Sequence, residues 1–393
     1  FIFIVFQLAI SFCCSCFGQT ENTSQPEDLI RELVEEQTEY SRIDVIENEL
    51  GKYLDDETKK ILEGYNPGDI VSKASTGKLD FNIKNIGANA LSYLLREIYQ
   101  NFGILIRLAV LIVICAMLKN LQSRFLSEGV SQIAFYVCYI VLVTVLLVSF
   151  STAAQLGVKI INNMVDFMYV AVPVLITLLI SGGNITTGGV LQPVLLLIVE
   201  IAATIIKNAF IPLLIFSTIL TIVSNVSARV QLGGLASFIK QIVTWGLGIV
   251  LTLFIAVVTV QGSMGAIVDG VTSKAAKFAI SAFIPIVGKT LSDAADTVVG
   301  CTLLIKNAAG IATMLGVMVI CAVPLIKIIA LVALYKAAGP VLQPISEPGI
   351  TNCINDVAGS MLYIFAVASS VAFMFIISVT ALISASNVSA MLR

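Results

Sequence analysis

What most constrains this chain is a series of apolar runs, at residues 103–118, 131–152, 166–181, 190–206, 208–226, 240–261, 308–335 and 358–386. A helix needs about 20 such residues to cross roughly 30 Å of hydrocarbon. The runs approach or exceed that length, so the expected fold is all-α, a polytopic helical membrane protein. Composition agrees: 58% of residues are hydrophobic and 12% charged, against about 25% charged in soluble domains. The pair at 190–226 has two readings, either two spans hinged at Lys207-Asn208 or one helix broken by Pro212. Taken one by one, the runs give eight spans within a membrane domain covering 101–393.

The first hundred residues differ. "FIFIVFQLAISFCCSCFG" is an apolar run followed by the polar "QTENTSQPED". It reads as the h-region and cleavage region of a secretory signal peptide over 1–18, without a basic start, or as an uncleaved anchor. From 19 to 100 the chain carries nine Lys/Arg and seventeen Asp/Glu, a net −8, whereas 101–393 carries fourteen and eight, a net +6. An acidic head on a mildly basic body predicts a small extracytoplasmic helical region at 19–100, with positive loops inside. Leu29, Ile30, Leu33 and Val34 recur at helical spacing, as do Ile43, Ile46 and Leu50. Nothing in this balance suggests a nucleic-acid partner.

Residues 265–306 break the pattern. Lys274, Lys277, Lys289, Asp293, Asp296 and Lys306 interrupt apolar sequence at short intervals. The stretch predicts an amphipathic or re-entrant hairpin of two helices, bent at Pro285–Gly288. Gly288-Lys289-Thr290 also invites comparison with a phosphate loop. That loop needs glycine five residues before the Gly-Lys pair, where this chain has Phe283, and Pro285 removes a backbone donor. A bend with an interfacial lysine explains the tripeptide better. Asp293 then lies an i,i+4 step from Lys289, and Asp293 with Asp296 forms a solvated face, since few further oxygen ligands for a cation lie nearby.

Chemistry is sparsely represented. Histidine is absent, which removes His-dependent triads and HExxH sites. Outside the leader the cysteines are single, at 115, 138, 301, 321 and 353, a pattern of buried free thiols rather than of zinc or disulfides. No catalytic, cofactor or metal residue is assigned. Charge within a span marks a functional candidate. Glu200 and Lys207 return to nearly one helix face, as a pathway-lining pair or as a span boundary with Lys207 snorkelling. Arg107 and Lys327 read as snorkelling side chains near span ends. Ala309, Thr313, Ala368 and Ala372 allow close helix approach, for packing or self-association.

Three phrases in order carry a family resemblance: "VTSKAAKFAISAFIPIVGKTLSDAADTVVGCTLLIKNAAGIA" (271–312), "VPLIKIIALVALYKAAGPVLQPIS" (323–346) and the closing "FMFIISVTALISASNVSAMLR". Together they resemble stage III sporulation protein AE of endospore-forming bacteria. The resemblance implies a membrane component of the secretion-like transport complex linking mother cell and forespore. It implies other stage III sporulation membrane proteins as partners, in the mother-cell-derived membrane around the forespore. It carries no catalytic residues. A stand-alone secondary transporter or channel for a small solute is the alternative, weakened by the lack of an evident internal repeat. An intramembrane enzyme is disfavoured by the missing histidine.

Overall fold

A computed structural model describes residues 43–53, 83–122, 128–226, 231–283 and 288–391, and these contain helices and no strand. The helices are α1 (Ile43–Gly51), α2 (Ile83–Gln122), α3 (Glu128–Ser181), α4 (Ile185–Ile205), α5 (Ile211–Val226), α6 (Gly233–Phe283), α7 (Gly288–Leu342) and α8 (Pro348–Met391). The expected signal peptide, most of the acidic region and Pro285 lie outside the described residues.

Six helical segments are long and apolar enough to cross a membrane: Gly87–Leu118, Tyr136–Ser181, Ile185–Asn225, Gly233–Ala279, Asp296–Leu342 and Pro348–Ala385. This makes a polytopic helical membrane protein, but with six candidate spans where the runs suggest eight. Two pairs of runs have merged. The runs at 131–152 and 166–181 are one helix, because the stretch between them holds no proline and its one glycine, Gly157, packs closely against Ile364. Ile160, Ile161, Met164 and Phe167 are buried there while Lys159 and Asp166 stay exposed.

The runs at 190–206 and 208–226 also join, through a π-helical turn at Ile206–Phe210. Proline in a helix lacks an N–H and crowds the carbonyl four residues back. Ahead of Pro212 the chain widens by one residue, and the Ile211 N–H reaches the Ile206 carbonyl. The helix thus passes its proline without ending.

Successive helices pack as antiparallel hairpins, and α7 with α8 forms the most extensive pair. α8 also touches α3, α4, α5 and α6, which makes it central. The small residues fit this role: Ala309, Thr313 and Ala368 are buried, and a Cβ on Gly310 would stand 2.4 Å from Ile383 Cδ1. α2 and α6 are peripheral. The bundle has one end near Lys119, where α2, α5 and α7 finish, and another near Gly183, where α3, α6 and α8 finish.

α1 packs against α3 and α7. Its Ile46 and Leu50 are buried, and the Leu50 side chain occupies the place that a Cβ on Gly316 would take. The helical spacing of Ile43, Ile46 and Leu50 therefore serves a tertiary contact with the bundle. Tyr53, just after α1, has its hydroxyl pKa raised by burial first, then by Glu49 and Asp166.

Candidate functional site

A recess with several charged and polar side chains is a groove of about 470 Å³ between α2, α3 and α7. Glu97, Asn101 and Arg107 enter from α2, Thr144, Ser149 and Thr152 from α3, and Lys327 from α7. Helical geometry assembles the α2 row, since 97, 101, 104 and 107 share one face. The walls between are apolar, including Ile104, Val148 and Leu331. Beneath the floor, the buried Tyr335 hydroxyl donates to Ser149 Oγ, tying α7 to α3.

The groove has unlike ends. Tyr93 packs with Val319 and Val323, and α2 and α7 run in the same direction. Lys327, one turn past Val323, therefore lies level with Glu97, one turn past Tyr93. Asn101 Nδ2 donates to Glu97 Oε1 at 3.0 Å. This end mixes charges. Arg107 lies ten residues from Glu97, about 15 Å along the axis, and Glu97 is the one carboxylate in the lining. The sequence places Arg107 and Lys327 near span ends independently, and only the fold brings them to one recess.

The other candidates are distributed as follows. Glu200 and Lys207 each bond to α3 rather than to each other. The Tyr169 hydroxyl donates to Glu200 Oε2 at 3.0 Å, and Lys207 Nζ donates to Asn162 Oδ1 at 2.9 Å. Both are exposed. Asp296 forms an ion pair with Lys277 at 2.5 Å, joining the end of α6 to the start of α7. Within 265–306, α6 is described to Phe283 and α7 from Gly288, and the residues between, with Pro285, lie outside the described set. The side chains of Lys289 and Asp293 lie outside the described set, so their contact is a sequence expectation only.

Two polar groups that matter escape a sequence reading. Asp269, nearly fully buried on α6, accepts the Thr186 and Thr187 N–H groups at 2.9 and 2.8 Å. These are N2 and N3 of α4, which an N-cap side chain ordinarily satisfies. Asn184 occupies the N-cap position but makes no side-chain cap bond. Its amide instead reaches back to the Leu179 and Gly182 carbonyls. There Gly183, at φ 80°, and the bonds Gly183→Ile180 and Asn184→Leu179 close α3 in a Schellman turn. Asp269 therefore supplies from another helix the cap that Asn184 does not.

Lys306 is the second group. It is 2% exposed and donates to the Ile383 carbonyl at 3.0 Å, where sequence reasoning places it at an interface. The five cysteines among the described residues are free thiols, but not all isolated: Cys115 on α2 and Cys138 on α3 are neighbours.

Six helices long and apolar enough to cross a membrane define a multi-pass membrane protein. The sequence model of stage III sporulation protein AE matches residues 65–386, so the chain belongs to that family. A curated relative, the stage III sporulation protein AE of Bacillus subtilis (strain 168), is 35% identical over 302 residues, 77% of this chain and 76% of the relative. No solved structure matches the chain. Family and fold together make this a sporulation-related membrane protein, from a family of membrane proteins rather than of known enzymes.

Proposed function

We propose that this chain is a non-enzymatic membrane component of the secretion-like transport complex between mother cell and forespore. The carrying observation is the family match across 65–386, which covers all six long helices rather than one interchangeable span. In this reading it sits in the mother-cell-derived membrane around the forespore, with other stage III sporulation membrane proteins as partners. The acidic 19–100 region is extracytoplasmic, and 265–306 is a helical hairpin on the same side.

The six-helix arrangement supports that orientation. Lys119 and Lys336 fall near one end of the bundle, Arg124 and Arg229 belong in sequence to the connections between helices that finish and start there, and the −8 region precedes α2 at the other. Positive loops inside and an acidic head outside follow.

The test is deletion of the gene in its endospore-forming host, followed by complementation with a tagged chain and isolation from sporulating membranes. Loss of spores on deletion, with co-isolation of other stage III proteins, is the expected result. Full sporulation without the gene, or a tagged chain isolated alone from active cells, would overturn the proposal and favour a stand-alone transporter.

A further inference from the structure

We propose that the groove between α2, α3 and α7 is a water-filled recess reaching the middle of the membrane, and that it attracts small anions through Arg107. On α2 the only charged residue between Glu97 and Lys119 is Arg107. It stands ten residues from the first and twelve from the second, about 15 and 18 Å along the helix. Against roughly 30 Å of hydrocarbon, that is near the midpoint of the span. A guanidinium facing lipid at this depth would cost several-fold more than one at an interface. Its surroundings are not lipid-like: Arg107 is exposed into a groove also lined by Thr144, Thr152, Asn101 and Lys327.

The charge sign follows from the lining. Glu97 is bonded to Asn101 and lies level with Lys327, so the carboxylate is matched at its own end. Arg107, about 15 Å away, has no carboxylate beside it in the groove. The Thr144 and Thr152 hydroxyls donate to the Ile140 and Val148 carbonyls, leaving oxygen lone pairs for water. The deep end is thus a hydrated cation with apolar walls, suited to a carboxylate or phosphate group. Such a group can come from a free anion or from a phospholipid headgroup.

The proposal does not depend on the complex, because its test uses this chain alone. Thr144→Cys and Thr152→Cys are made in the full chain, with Val110→Cys and Val141→Cys as exposed positions outside the groove. Each is reconstituted in phosphatidylcholine vesicles and treated with charged, membrane-impermeant thiosulfonates, with the parent chain measuring native cysteine background. Groove positions are expected to label at least tenfold faster than the outside positions. Arg107→Gln should lower the anionic-to-cationic reagent rate ratio at Thr144→Cys roughly tenfold, the order of one partly screened charge at short range. Inorganic phosphate slowing the anionic reagent in neutral vesicles identifies a free-anion site, and slowing by phosphatidylglycerol alone identifies a lipid headgroup. Equal labelling inside and outside the groove, or a rate ratio unmoved by Arg107→Gln in a chain of unchanged gel-filtration profile, overturns the proposal.

Discussion

Replacing Asp269 tests whether a helix can be capped from a distance of some eighty residues in sequence. In Asp269→Ala the Thr186 and Thr187 N–H groups lose both acceptors, and the Asn184 side chain is already committed to the α3 carbonyls. Hydrogen bonds to a charged group contribute about 1.5–3 kcal/mol each. One carboxylate makes both, so the loss is less than their sum, about 2–4 kcal/mol. Water cannot easily substitute, because Thr187 is fully buried and Gly265 lies directly against it. Asp269→Asn keeps one neutral acceptor and should lose about half as much. Hydrogen exchange in a peptide covering 182–192 reads this locally, since the α3–α4 turn can open without global unfolding. With tenfold per 1.4 kcal/mol, protection should fall by roughly 30- to 1,000-fold in the alanine variant and by about tenfold in the asparagine variant. Unchanged exchange in Asp269→Ala, with α6 still helical, would refute the cap.

Gly316→Leu should displace Leu50 and release α1, read as new protease cleavage within 43–53 and little change in the melting of the bundle. Lys306→Met is expected to melt at or above the parent temperature in detergent, since a buried ammonium with one carbonyl acceptor gains little from its charge; collapse of the folded fraction would contradict this. Gly310→Leu, by contrast, should lower that temperature, because its side chain would overlap Ile383 Cγ1 and Cδ1 where α7 meets α8. A cysteine placed at Asn66 should be labelled from outside intact cells; labelling only after the membrane is opened reverses the proposed orientation. Lys289→Arg should preserve sporulation, as either side chain carries an interfacial charge, and loss of sporulation at normal membrane levels would restore interest in a lysine-specific site.

The helical membrane class was legible because it depends on apolar content, which a sequence states directly. The family was legible from 271–346, where small and charged residues make an uncommon order. The groove was not. Arg107 and Lys327 are 220 positions apart in sequence, and their convergence depends on α2 lying parallel to α7. Asp269 was hidden for a related reason: its partners are backbone N–H groups, and the residue at the N-cap position, Asn184, gives a misleading local signal. Lys306 shows the opposite failure, since a lysine near charged neighbours reads as solvated until Ile383 is seen to cover it.

The span count went astray because hydropathy does not distinguish lipid from protein as the apolar neighbour. Along 131–152, Ile133, Tyr136, Val137, Ile140, Val141 and Val148 are exposed on the bundle surface, as residues facing lipid would be. Along 166–181 the balance reverses: Ala171, Val172, Leu175, Ile176, Leu178 and Leu179 are buried against neighbouring helices. The hydropathy of this second run is accounted for by helix packing and requires no separate crossing. The 46-residue segment Tyr136–Ser181 is about 69 Å long, more than twice the hydrocarbon thickness. Lys159 and Asp166 fall between the two regimes, level with Lys207 and Glu200 through the Asn162 and Tyr169 bonds, and α1 docks near the same level beside Asp166. A polar belt with a docked amphipathic helix is what a bundle should present where it leaves the bilayer. On this argument the Gly183 end stands beyond the membrane as a helical extension, with Asp269 joining α6 to the start of α4 there.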